Sequence, residues 1–202
     1  LIQLCLLAFV SGTAAQILFQ PEQFMDPVEI IQYHGYPAEE HQTTTQDGYI
    51  LTMHRIPHGI AGTQCNFTTP RRVVLLQHGL LSSSFDYVSL LPEKSLSYYL
   101  ADSGYDVWIG NNRGNIYSNS HVNYSSLDSR FWNFSFDEMV TFDTHSIVDY
   151  ILAATNQNYL YVVAHSQVIL LNSLNYVNSL TLFLQIKHFF ALAPALSSRN
   201  MQ

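Results

Sequence analysis

The stretch YLYVVAHSQVIL, residues 159–170, starts as a strand and breaks at a serine. YLYVVA is rich in aromatic and β-branched residues, the short apolar run of a strand buried in a sheet. Ser166 follows between His165 and Gln167, and beyond it Leu170, Leu174, Val177 and Leu184 keep to one helical face. Strand, sharp turn and helix in that order lift a serine Oγ to the carboxyl end of a strand, where the helix N-terminus favours developing negative charge. Strand and helix cross closely at such a turn, so small residues are expected two places before and two after the serine. Ala164 adds one methyl group there. Val168 adds a β-branched side chain, and overpacking of that kind costs ~1–3 kcal/mol.

Upstream, the same alternation repeats. HQTTT and YILTMHR flank the turn signal QDG and read as a hairpin. RRVVLLQ (71–77) reads as a central strand ending in His78-Gly79-Leu80, and SLSYYLADSG (95–104) as a short helix closed by Gly104. YDVWIG (105–110) is the next strand, followed by the polar loop NNRGNIYSNSHVNYSS. Ser135 and Glu138 form a capping box at the head of the helix FDEMVTFDTHSIVDYILAAT, in which Met139, Val140, Ile147, Val148 and Ile151 recur at helical spacing. KHFFALAP (187–194) is a last strand, an apolar edge prone to aggregation if it lacks neighbours. Strands alternating with helices predict an α/β protein on a largely parallel sheet.

The composition agrees. The 202 residues are 48% hydrophobic and 11% charged, a globular balance, and the net charge of −7 excludes nucleic acid as a partner. The N-terminus, LIQLCLLAFVSGTAAQ, has the apolar core and small-residue end of a secretory signal peptide cut near Ala15, and it is too short for a transmembrane segment. Residues 1–15 therefore read as a partial signal peptide and 16–202 as one domain. Removal of Cys5 with the signal leaves Cys65 alone. Sequons at Asn66, Asn123 and Asn133 fit a secreted or lysosomal glycoprotein.

Ligands gather at the carboxyl ends of strands in open α/β sheets. The His78-Gly79-Leu80 turn, the loop through Gly110 and Gly114, and His165-Ser166-Gln167 all fall there. Acyl transfer is the chemistry they suit. Ser166 is the nucleophile candidate, and the backbone N–H groups of Leu80 and Gln167 are the oxyanion donors. His78, Gly79 and His165 support them, with His78 bracing the oxyanion loop and His165 packing beside the serine. Arg113 reads as a structural donor below the site. Trp108 and Trp132 read as core or loop anchors. Asp143 and His145 lie inside a helix, and Pro57 breaks the helix that would align His54 with His58 as zinc ligands. No metal or cofactor is implied.

These residues carry a resemblance. PVEIIQYHGYPAEEHQTTTQDGYILTMHRIPHG, LLQHGLLSSSFDYV, LADSGYDVWIGNNRGNIYS, FWNFSFDEMVTFD, AHSQ and KHFFALAP run in the order of the acid lipase family, the gastric and lysosomal lipases and their nematode and insect relatives. The chain resembles the N-terminal half of a nematode-like member, with its α/β-hydrolase-associated lipase region. The resemblance implies an α/β-hydrolase fold truncated after the strand that follows the serine's helix. It also implies hydrolysis of triacylglycerols or sterol esters at a lipid interface, with Ser166, Leu80 and Gln167 in the roles given above.

The chain departs from the family at Val168 and through residues 168–185, which reflect either divergence or an error in the gene model. No carboxylate follows Asp149, and the only histidine after Ser166 is His188, inside a strand, so the Ser-Asp-His order is not completed in these residues. Two readings stand: a serine lipase represented by its first half, and an inactive paralogue that binds lipid or a partner.

Overall fold

The computed structural model describes residues 21–63, 70–166 and 180–194. The leader, Cys65, Asn66, Gln167, Val168 and most of the segment after the serine lie outside the described residues. A short helix, α1 (Pro27–Tyr33), begins at a capping box in which Asp26 and Glu29 each accept the other's backbone N–H. The hairpin β1 (Glu39–Thr44) and β2 (Tyr49–Ile56) follows, turning at Gly48 with φ of 99°. Strand β3 (Val73–Gln77) leads through the His78-Gly79-Leu80 turn to α2 (Leu96–Asp102), and then to β4 (Asp106–Gly110) and the two-residue strand β5 (Ser120–His121). After α3 (Phe136–Glu138) and α4 (Thr144–Thr155) come β6 (Leu160–His165), α5 (Leu180–Gln185) and β7 (Ile186–Leu192).

The sheet runs β1-β2-β4-β3-β6-β7, with β5 beside β2. The hairpin side is antiparallel, while β4, β3, β6 and β7 are parallel neighbours. The predicted architecture is thus present. Because strand side chains alternate between faces, each central strand feeds two cores. Leu75, Trp108 and Val162 pack with Ile147, Val148 and Ile151 of α4 on one face. Val74, Leu76, Ile109 and Val163 pack with Ile30 and Ile31 of α1 and Tyr98 of α2 on the other.

The helix predicted through residues 136–155 is present and runs through a π-helical turn, Met139–Asp143, between α3 and α4. At that turn Asp143 is fully buried and accepts from Arg113, a partner that helical spacing does not reveal. Leu184, assigned to an apolar face, is 68% exposed, whereas Leu182 is buried. The polar loop after β4 contains β5, too short to register as a pattern. Strand β7 is a sheet edge among the described residues, with Phe190 and Leu192 exposed on it.

Candidate active site

Strand β6 carries the serine. Ala164 is fully buried in register with Gln77 of β3 and Ala191 of β7, so the small side chain fits where the strands crowd. Ser166, the next residue but one, has φ of 57°. That left-handed conformation is unfavourable for a residue with a Cβ, and such strain concentrates at working sites. A hydrogen bond from the Ser166 N–H to the Leu192 carbonyl at 2.9 Å ties this turn to the end of β7. The Ser166 side chain is half-buried and His165 is exposed.

The turn after β3 lies against this serine. A methyl group built on Gly79 would stand 3.2 Å from Ser166 Cβ and 3.1 Å from His165 Nδ1, so only glycine lets the two segments meet without displacement. Leu80 is half exposed. Leu81, almost wholly exposed, has φ of 58°, a second strained residue on the same turn. His78 is buried and faces inward: its Nδ1 lies 2.7 Å from the Gly79 carbonyl, and its Nε2 lies 3.2 Å from the Asn112 N–H. Burial holds the His78 imidazole below its ordinary pKa, so the ring is neutral at physiological pH.

Beside Gly79 and Leu80 opens a cavity of about 620 Å³, walled by Ile116, Trp132, Phe134 and Met139 among others. Gly79 and Leu80 form its wall toward the serine, and Ser166 itself does not line it. Trp132 has two roles. Its indole N–H donates to the Ser126 carbonyl at 2.8 Å, anchoring the loop as predicted, while its half-exposed ring forms part of the cavity wall, which the sequence did not indicate. Trp108 is fully buried in the core.

An ion cluster adjoins the cavity through Arg113, which lines it. Arg113 and Asp143 are both fully buried, with Arg113 Nε and its terminal nitrogen 2.8 and 2.7 Å from Asp143 Oδ1. The other guanidinium face reaches Asp47, in the β1–β2 turn, at 2.6 and 3.0 Å, and the plane stacks 4.0 Å from the Tyr49 ring. Burial raises the Asp143 carboxyl to about 6 against the pull of Arg113. Hydrogen bonds from Arg113 and Thr45 hold Asp47 below the usual carboxylate range despite its partial burial. Arg113 thus joins the loop after β4, the hairpin turn and the π-helical turn into one frame.

Other candidates are committed elsewhere. His54 Nδ1 bonds Ser84 Oγ at 2.8 Å, and burial lowers this ring to about 4; His58 faces the Gly59 carbonyl. His188 stacks on Tyr161 with ring centroids 5.6 Å apart. Tyr161 precedes Ser166 by five residues along an extended strand, which separates His188 from the serine by roughly 15 Å. No group of acidic, histidine and cysteine side chains among the described residues is arranged to hold a metal ion.

Known proteins resemble this chain in sequence and in fold. Residues 27–91 match a family model described as a partial α/β-hydrolase lipase region, and residues 72–167 match one described as the α/β hydrolase fold. The chain is 46% identical over 189 residues to bovine gastric triacylglycerol lipase, covering 92% of this chain and 47% of that protein. It is 45% identical over 174 residues to human lipase member M, covering 86% of this chain and 41% of that one. The chain therefore spans about half the length of the relatives it matches. Among solved structures, the esterase Pf2001 of Pyrococcus furiosus superposes with a TM-score of 0.57 at 17% identity, over 83% of this chain and 52% of that one. The epoxide hydrolase CorEH superposes with a TM-score of 0.52 at 17% identity, over 80% and 44%. At that identity the likeness speaks for the fold alone. The two family models and the sequence identity to the gastric lipases place this chain in the acid lipase family of α/β-hydrolases, as a partial member.

Proposed function

We propose that the chain supplies the nucleophile-bearing half of a lipid ester hydrolase acting on triacylglycerols or sterol esters. The observation that carries this reading is the left-handed Ser166 at the end of β6, pressed against Gly79. Its Oγ attacks the ester carbonyl carbon and its proton passes to a base. The carbonyl electron pair moves onto oxygen, and the Leu80 and Gln167 N–H groups stabilise that oxyanion. Expulsion of the alcohol leaves an acyl-serine, which water then hydrolyses. The separation of His188 from Ser166 argues against His188 as that base.

The exposed apolar side chains of Leu80, Leu81, Ile116 and Trp132 around the cavity mouth support contact with a lipid interface. No helix among the described residues is long and apolar enough to cross a membrane. Asn123 and Asn133 are exposed, in keeping with glycosylation in the secretory pathway and a secreted or lysosomal destination. Val168 favours a second reading, a paralogue that binds lipid without turnover. Hydrolysis of a p-nitrophenyl acyl ester by the complete gene product separates the two. The enzyme reading expects turnover that Ser166→Ala abolishes, and turnover that survives this substitution, or none in the parent, defeats it.

A further inference from the structure

The loop after β4 reaches back to His78 through one asparagine whose orientation is fixed. Asn115 Oδ1 accepts from the Tyr117 and Ser118 N–H groups at 3.0 and 2.9 Å, so its Nδ2 is the donor end. That nitrogen faces Asn111 Oδ1 at 2.8 Å, His78 Nε2 at 3.2 Å and, at 3.5 Å, the Ser82 carbonyl. His78 Nε2 also faces the Asn112 N–H at 3.2 Å. Two donors converge on this nitrogen, so Nε2 carries no proton. The proton of the neutral ring sits on Nδ1 and is donated to the Gly79 carbonyl at 2.7 Å. The Ser82 N–H approaches the same carbonyl from the turn, at 3.4 Å.

The consequence follows from peptide geometry. No peptide bond here is cis, and in a planar trans peptide the C=O and the next N–H point in opposite directions. A Gly79 carbonyl held toward His78 therefore turns the Leu80 N–H away from His78. We propose that Asn115 is a positioning residue for the oxyanion site: by keeping His78 in its Nδ1–H tautomer, it fixes the Gly79–Leu80 peptide and so aims the Leu80 N–H. This assignment rests on the proposed roles of Ser166 and Leu80.

The test uses the complete gene product with ¹⁵N-labelled histidine. Wild-type spectra should show His78 Nε2 unprotonated. Asn115→Asp retains an oxygen for the Tyr117 and Ser118 N–H groups and places a second oxygen where the donor stood, which favours the neutral tautomer whose single ring proton has moved from Nδ1 to Nε2 and no longer reaches the Gly79 carbonyl. Fluorophosphonate labelling of Ser166 in this variant should slow by about tenfold or more, less than or equal to the loss of a whole oxyanion donor. A second pair serves if that variant fails to fold. The amide of an asparagine at position 78 reaches the place of Nδ1, and that of a glutamine the place of Nε2. His78→Asn should therefore label about tenfold faster than His78→Gln.

A protonated Nε2 in the wild type overturns the proposal. So does unchanged labelling in Asn115→Asp, whatever its tautomer, and so do equal rates for the two His78 variants. Failure of the wild type to label defeats the esterase reading instead, and the imidazole spectra then still decide whether Asn115 sets the proton.

Discussion

Replacing Arg113 by methionine removes the guanidinium at the centre of the frame while keeping an unbranched side chain of similar length. It deletes the contacts to Asp143 at 2.7 and 2.8 Å, those to Asp47 at 2.6 and 3.0 Å, and the stacking on Tyr49. Asp47 is 27% exposed and regains water, so its share of the loss is small. Asp143 is wholly buried and, among the described residues, keeps the Arg113 backbone N–H at 2.9 Å. Stranding a buried charge in this way costs about 3–5 kcal/mol.

The cost depends on pH with a definite sign. The Asp143 carboxyl lies at about 6 in the folded wild type, above its unfolded value, and loss of Arg113 raises it further. Between pH 6 and that higher value the variant's folded state holds a proton that the folded wild type has released. The penalty therefore grows as pH rises through this window, by ~1.4 kcal/mol per unit, and shrinks by about 1 kcal/mol between pH 7 and pH 5. Urea unfolding followed by tryptophan fluorescence measures both quantities. A loss under about 1 kcal/mol at pH 7, or a penalty that deepens in acid, refutes the reasoning.

Ser166→Gly should raise stability by about 0.5–1 kcal/mol in thermal melts while abolishing ester turnover, because glycine relieves the left-handed backbone; unchanged or lower stability contradicts a strained turn. Gly79→Ala places a Cβ 3.2 Å from Ser166 Cβ, so turnover should fall by about tenfold or more for a stability loss of only ~1 kcal/mol; undiminished turnover shows that the two turns are not pressed together. Phe190→Lys with Leu192→Lys on the exposed edge strand should raise the soluble yield of the 202-residue chain without lowering its melting temperature, and equal yields remove the edge as a cause of aggregation.

The sheet was legible because its central strands obey a simple rule. VVLL, VWIG and LYVVA sit in the middle of the sheet and bury nearly every side chain, so each appears as an uninterrupted apolar run. The serine turn was legible from the residue at the break, and the Ser135–Glu138 box from its spacing. What escaped depends on contacts between distant positions. Helical periodicity places Asp143 within a regular helix, but its partner lies 30 residues earlier, and their pairing accompanies the π-helical turn. Asn115 resembles any loop asparagine until the fold brings His78 to its amide. The residue type of Trp132 predicts an anchor, and only the packing of Phe134 and Ile116 beside it makes it a cavity wall.

Three segments of the sheet meet at Ser166: its N–H donates to the Leu192 carbonyl, its Cβ lies beside Gly79, and its φ is 57°, so β6, β7 and the turn after β3 all bear on this one backbone position. The frame from Asp47 through Arg113 to Asp143 bears on the same loop that reaches His78. Perturbing the frame should therefore slow the proposed ester turnover before it unfolds the sheet.

Mass-spectrometric mapping of the complete gene product after treatment with a fluorophosphonate tests the central claim most directly. A single covalent adduct on Ser166, absent from Ser166→Ala, is the predicted result. A protein that remains unmodified at Ser166, or that carries its adduct on another serine, contradicts the assignment of this residue as the nucleophile.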